Sequence, residues 1–85
     1  MNIKLRFFAS VREAVGASSE TVTLPDGVAT VGDVRDFLLA RGGAWAEVLG
    51  HGRALRMAFN QVMCDPATPL AEGGEVAFFP PVTGG

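Results

Sequence analysis

Cysteine and histidine are nearly absent: the 85 residues hold one of each. A single thiol excludes an internal disulfide framework and fits a reducing compartment. An iron–sulfur cluster needs about four thiolates, so that cofactor class is excluded as well. His51 lies in the glycine-flanked segment "GHG" without a ligand partner at metal-site spacing, and reads as an ordinary loop residue. Charge of one sign is also scarce, with 7 Lys and Arg against 9 Asp and Glu for a formal net charge of -2. No basic block is present to hold phosphates, so nucleic acid is not an expected partner. No glycine loop of phosphate-cradling form leads from a strand into a helix. No uncharged apolar run approaches membrane-spanning length. Lys4, Arg6 and Arg12 interrupt the opening segment "MNIKLRFFASVRE", which therefore does not read as a secretory signal. The expectation is a single soluble cytoplasmic domain, without metal or bound cofactor and away from the membrane.

What is present is a core. Hydrophobic residues make up 48% of the chain, enough for one buried centre. "NIKLRFF" alternates, with Ile3, Leu5 and Phe7 on one side and Asn2, Lys4 and Arg6 on the other, the period of a half-buried strand. Ser10 precedes Glu13 by three residues, the spacing of a capping box, and Gly16 can close that short helix in a left-handed conformation. "SETVTL" reads as a second strand, and "PDG" at 25–27 as a turn. Thr30 is placed to cap the main helix, whose Val31, Val34, Phe37 and Leu38 share a face. Asp33 falls in its first turn and Arg41 in its last, both matched to the helix dipole, and Gly42 and Gly43 stop it. "AWAEVLG" forms one further helical turn that brings Trp45, Val48 and Leu49 to the core. "ALRMAF" alternates again, "NQ" turns the chain, and "VMC" is a short strand. "DPATPL" is irregular because Pro66 and Pro69 cannot donate to a ladder. "EGG" is a turn, and "EVAFF" is the last strand. Strands, then a helix, then a return to the sheet make an α+β layout with the main helix on one sheet face.

Strand parity singles out three large apolar residues. If Ile3, Leu5 and Phe7 face the helix, Phe8 points the other way. If Val76 and Phe78 face in, Phe79 faces out, and if Val62 and Cys64 face in, Met63 faces out. Exposed apolar side chains grouped in this way mark partner surfaces. Cys64 itself reads as a small buried hydrophobe.

The end of the sequence is "FFPPVTGG". Gly-Gly alone says little, since the same dipeptide recurs at 42–43 and 73–74. Its setting says more. Pro80 and Pro81 favour extended geometry and cannot donate ladder hydrogen bonds, so they launch the chain away from the sheet. The segment from Pro80 to Gly85 can then reach roughly 20 Å. Val82 and Thr83 lead to Gly84 and Gly85, which are thin enough for a narrow pocket where any Cβ would collide. A terminal glycine also leaves its carboxylate open to activation. The organisation expected is a domain over 1–79 and an extended tail over 80–85.

"EVAFFPPVTGG", with "FNQ" and "TPL" before it and "FFASVREAVG" near the start, resembles the family of small, sulfur-carrying subunits of molybdopterin synthase. The resemblance runs over essentially the whole chain and is most specific from Phe59 to Gly85. It implies a ubiquitin-like β-grasp fold. It also implies that an ATP-dependent activating enzyme adenylates the Gly85 carboxylate, and that sulfur then replaces one oxygen to give a thiocarboxylate. The tail would enter the large catalytic subunit and donate sulfur to a cyclic pterin precursor, building the dithiolene of the molybdenum cofactor. The small subunit would supply the reagent and the large one the acid–base residues, in a heterotetramer. Phe8, Met63 and Phe79 match the positions through which that family docks its two partners. Sulfur carriers for thiamine or another thiolated product, and ubiquitin-like modifiers, share the terminal Gly-Gly; "FFPPV" favours the molybdopterin family. A plain binding module with a frayed end is a reading of another class.

Overall fold

The computed structural model describes residues 1–52 and 54–81. The element order is β1 (Asn2–Phe7), α1 (Ala9–Val15), β2 (Ser19–Thr23), α2 (Val31–Leu39), α3 (Gly43–Leu49), β3 (Arg56–Phe59), β4 (Val62–Met63) and β5 (Glu75–Phe79). The strands form one mixed sheet in the order β2-β1-β5-β3-β4. Its centre is the parallel pair of β1 and β5, while β2, β3 and β4 pair antiparallel with their neighbours. This is the α+β layout that the alternation of the sequence predicts.

The alternation of β1 carries directly into burial. Ile3, Leu5 and Phe7 are buried, and they join Val22, Val76 and Phe78 from the sheet with Val11, Val31, Val34, Leu38 and Leu49 from the helices. All three helices therefore cover the same sheet face. Thr30 caps α2 through a reciprocal box: its hydroxyl accepts from Asp33 N at 3.1 Å, and the Asp33 carboxylate accepts from Thr30 N at 3.1 Å. Gly16 closes α1 at φ 77, a region that costs glycine nothing. Gly74, just before β5, has no room for a side chain, because a Cβ there would collide with the Phe59 ring. The crossing at 65–70 adds an isolated bridge between Thr30 and Pro69, made by donors on flanking residues: Val31 N to Thr68 O and Leu70 N to Ala29 O, both 2.9 Å. Proline thus sits in a pairing position that asks nothing of its missing N–H.

Three local expectations are corrected. Ser10 does not cap α1; the helix begins at Ala9 after an extended Phe8, so Ser10 already lies inside the first turn, and no side chain caps that end. Arg41 is not in the last turn of α2, which ends at Leu39; it reaches across to Glu20 on β2 instead. Gly42 and Gly43 do not terminate α2, which closes through Ala40 N to Asp36 O. Gly42, at φ 74, is the N-cap of α3, and Gly43 is its first residue. The glycines are the joint between two helices, and the segment expected to form a single turn belongs to a seven-residue helix, Gly43–Leu49, with Gly50 as its C-cap.

Candidate functional site

The sheet face opposite the helices is built by the other parity. In register, Arg6 lies opposite Ala77 and Ala77 opposite Ala58, which in turn opposes Met63. Two small side chains, Ala58 and Ala77, therefore form the floor of this face. At one end stand Phe8 and Phe79, their rings edge to face at 6.3 Å and 84°. Met63 stands at the edge strand, 56% exposed, and Phe8 is 39% exposed. The structure thus brings Phe8 and Phe79 together and places Met63 on the far side of the alanine floor. Phe79 is half-buried rather than open, with the Phe8 ring packed against it. Val62 departs from expectation: it is 66% exposed, not inward. The reason is that β4 is a two-residue edge strand paired only to β3, beyond the cover of the helices.

Cations surround the floor, and sequence reasoning gave them no role. The Arg6 guanidinium stacks over the Phe8 ring at 5.4 Å and approaches the Glu75 carboxylate at 3.8 Å. Its Nε is buried and has no hydrogen-bond partner among the described residues. Arg56 opposes Phe79, and Lys4 opposes Glu75. The alternation that marks Phe8 and Phe79 marks these three as well: Lys4 and Arg6 share on β1 the parity of Phe8, the extended residue that follows it, and Arg56 lies opposite Phe79.

β5 delivers the chain to its tail. Hydrogen-bonded strands flank it on both sides, and it ends at Phe79. Pro80 and Pro81 follow, half-buried, along a groove of about 550 Å³ between α1 and α3, lined also by Val11, Ala14, Val48 and Leu55. Val82, Thr83, Gly84 and Gly85 lie outside the described residues.

The remaining polar groups support the fold. Arg35 is buried and donates from Nε to Leu49 O and from Nη2 to Gly50 O, both 2.7 Å, which fixes the C-terminus of α3 on α2. Burial lowers its pKa. Glu20 is held below its ordinary value by its hydrogen bonds from Arg41. Asp33 is lowered by the backbone N–H groups of Ala29 and Thr30. Cys64 is half-buried, and burial pushes its thiol up against the partial offset of a hydrogen bond with Thr68, which disfavours the thiolate. His51 Nε2 lies 2.8 Å from an Asp36 carboxylate oxygen at an exposed position. Among the described residues no His, Cys, Asp and Glu side chains gather as a metal site, and no helix is long and apolar enough to cross a membrane.

The geometry is therefore a packed domain with an apolar, cation-rimmed face, whose central strand is followed by the half-buried Pro80 and Pro81. Known proteins share its sequence and its fold. The molybdopterin synthase sulfur carrier subunit of Escherichia coli is 45% identical over 83 residues, covering 98% of this chain and 99% of that protein. Small archaeal modifier protein 3 of Haloferax volcanii is 41% identical, with 100% of both chains covered. The crystal structure of small archaeal modifier protein 1 from the same organism superposes with a TM-score of 0.77 at 30% identity, covering 95% of this chain and 98% of that one. The β-grasp fold expected of the sequence is the fold this chain has. The model of the ThiS family matches residues 5–85, from the first core strand through the final glycine, and the chain belongs to the ThiS family.

Proposed function

We propose that this protein is the sulfur carrier subunit of a molybdopterin synthase. One observation carries the reading: a relative of that name is 45% identical over 98% of this chain, including the strand that leads into the tail. The geometry supports it. A reagent tail must be held by a rigid root yet leave the domain free to reach, and β5 is the central strand while Pro80 and Pro81 lie at its exit.

In this reading the Gly85 carboxylate attacks the α-phosphate of ATP on an activating enzyme, releasing pyrophosphate. Hydrosulfide-level sulfur then attacks the acyl carbon of the adenylate, forming the C–S bond as the C–O bond to AMP breaks, and leaves a thiocarboxylate. The tail enters the large catalytic subunit and donates sulfur to the pterin precursor there. The carrier contributes position and a reagent, and Phe8, Met63 and Phe79 seat it on its partners. A second reading, a protein modifier, draws on the archaeal relative at 41% identity. It shares the activation step and differs in the acceptor, an amine instead of a pterin precursor.

The test is the position of one carboxylate. Deleting Gly85 withdraws it by roughly 3.3–3.6 Å. A reacting atom misplaced by about 1 Å can lose on the order of 100-fold in rate. Thiocarboxylate formation, read by intact mass after incubation with ATP, a sulfur source and the activating enzyme, should vanish in this variant, while its thermal melt stays that of the parent. Sulfur uptake and molybdopterin synthesis by the shortened chain would overturn the carrier reading. Uptake by the parent chain followed by transfer to protein amines, without molybdopterin, would select the modifier.

A further inference from the structure

Three arginines of this domain are bonded very differently. Arg35 is fully engaged by two backbone carbonyls at 2.7 Å. Arg41 clasps Glu20 in two hydrogen bonds, at 3.0 and 2.6 Å, and stacks over Trp45 at 4.6 Å. Arg6 is different. Among the described residues its one ion pair, with Glu75, is a loose 3.8 Å and its buried Nε has no hydrogen-bond partner, while its side chain is 40% exposed. A 3.8 Å contact is too long for a hydrogen bond, so the exposed part of the guanidinium is left by the described residues to meet an acceptor on another molecule. A carboxylate is the acceptor that matches a guanidinium fork.

The surroundings say where that carboxylate comes from. By register, Lys4, Arg6 and Arg56 are the cations of the uncovered sheet face, and Glu75 is the one acid among the strand residues sharing it. These strand residues therefore sum to +2 in a chain whose total is -2, so the rest of the molecule sums to -4. Between Arg6 on β1 and Arg56 on β3 lies β5 with Ala77 and Phe79. Two strand spacings and a two-residue offset along the strands, Arg6 opposing Ala77 and Arg56 opposing Phe79, separate the cations by roughly 12 Å. A polyanion such as RNA wants a continuous basic track, with bases stacked on open aromatic faces. Here the cations flank an apolar centre, one lies against an acid, and the two rings already pack on each other. That pattern fits a protein surface with an apolar centre and carboxylates at its rim.

We infer that Arg6 and Arg56 are the partner-selecting residues of the docking face, and that the occupant is a protein surface presenting two carboxylates roughly 12 Å apart around an apolar centre. The inference rests on the sulfur-carrier reading, in which the large synthase subunit is that occupant. The two cations reject surfaces that are merely apolar or basic, while Phe8, Phe79 and Met63 supply contact area to any partner.

The experiment titrates the cognate large subunit with the parent chain, Arg6→Gln, Arg56→Gln and the double variant, at about 50 and about 300 mM salt, a range over which charge pairing is progressively screened. The double variant should bind about ten- to a hundredfold more weakly at low salt, with a flatter salt dependence. Thermal melts run beside the titration show whether the domain is intact. Arg6→Lys, which keeps the charge and the stem, should recover part of the affinity. Carbodiimide coupling should join Lys4 of the parent chain to an aspartate or glutamate of the large subunit. Equal affinity and equal salt dependence in a folded double variant, with the parent chain active in synthesis, would overturn this inference and leave the functional reading standing. A parent chain that gains sulfur but does not bind the large subunit would overturn both, as would retention on single-stranded RNA in place of that subunit.

Discussion

Two pairs of adjacent phenylalanines divide this domain in half. Phe7 and Phe78 sit side by side on the parallel pair of central strands, 1% and 0% exposed, with rings stacked at 6.5 Å and 14°. Trp45 meets the Phe7 ring edge-on at 5.3 Å, sealing it from α3. Phe8 and Phe79 are their immediate successors in sequence. They also pair, but edge to face on the other side of the sheet, where no helix lies and Phe8 remains 39% exposed. The chemistry of the four side chains is identical. What separates them is the two-residue period of a strand, which sends neighbours to opposite faces. The first pair holds the fold, and the second is available to a partner.

The largest effect that would expose this division is Phe78→Ala. A fully buried phenylalanine cut to alanine costs about 3–5 kcal/mol. A domain of this size has in total only roughly 5–10 kcal/mol of stability. The midpoint of urea denaturation should therefore fall steeply, and sulfur loading should fall with it as the folded fraction is lost. A stable Phe78→Ala domain would mean that the covered face is not the core.

One residue further on, Phe79→Asp should give the opposite profile. The site is half-buried and lies opposite Arg56, so an aspartate there has a cation to meet and the fold should survive. Binding to the large subunit should lose about 1.5–3 kcal/mol, the contribution of burying one such side chain. Calorimetric titration beside a thermal melt checks both halves. If Phe79→Asp unfolds the chain while its binding per folded molecule is unchanged, both faces are structural and the contrast between them fails.

Much of this was legible in the sequence, and the reasons are local. Alternation in "NIKLRFF" and "EVAFF" assigned both phenylalanine pairs to their faces, because the period is enforced by every residue of a strand. The cap at Thr30 was legible because it is a local signal, while Asp33, read only as a match to the helix dipole, also closes the reciprocal box. The errors lie where distant segments decide. Ser10 has the right spacing for a cap, but the chain turns one residue earlier, at an Ala9 whose φ of 52 no residue-type preference announces. Arg41 looked like a helix-dipole partner, and its real partner, Glu20, is 21 residues away. Val62 alternated correctly on paper, but an edge strand of two residues has nothing above it to be buried against. Arg35 drew no expectation from the sequence; only the fold brings two carbonyls from the end of α3 to it. Arg6 and Arg56 were legible by parity, yet their meaning depends on which cations already have partners, and that is a property of the folded molecule.

The smallest effect concerns acid, and it acts on the covered layer. Arg41 hydrogen bonds hold Glu20 below its ordinary pKa, more than burial raises it. The backbone N–H groups of Ala29 and Thr30 do the same for Asp33. In both cases the folded pKa is the lower one, so between the two values the unfolded chain binds more protons than the folded chain. Stability from these groups is therefore complete above the unfolded pKa, near pH 4, and is lost as pH falls through the folded value. The Glu20–Arg41 pair ties β2 to the segment after α2, with both side chains about a third exposed, at 32% and 29%. Solvent screens it, and its contribution should be a few tenths to about 1 kcal/mol. Urea midpoints measured from about pH 7 down to about pH 3 should fall on the acid side, and less steeply for Glu20→Gln, which carries no titrating group there. Arg41 stays charged throughout and keeps its stack on Trp45, so the variant should lose the pair without losing that packing. An acid slope in Glu20→Gln as steep as in the parent chain would show that this pair holds nothing, and would leave the Thr30–Asp33 cap as the acid-sensitive element of the helical layer.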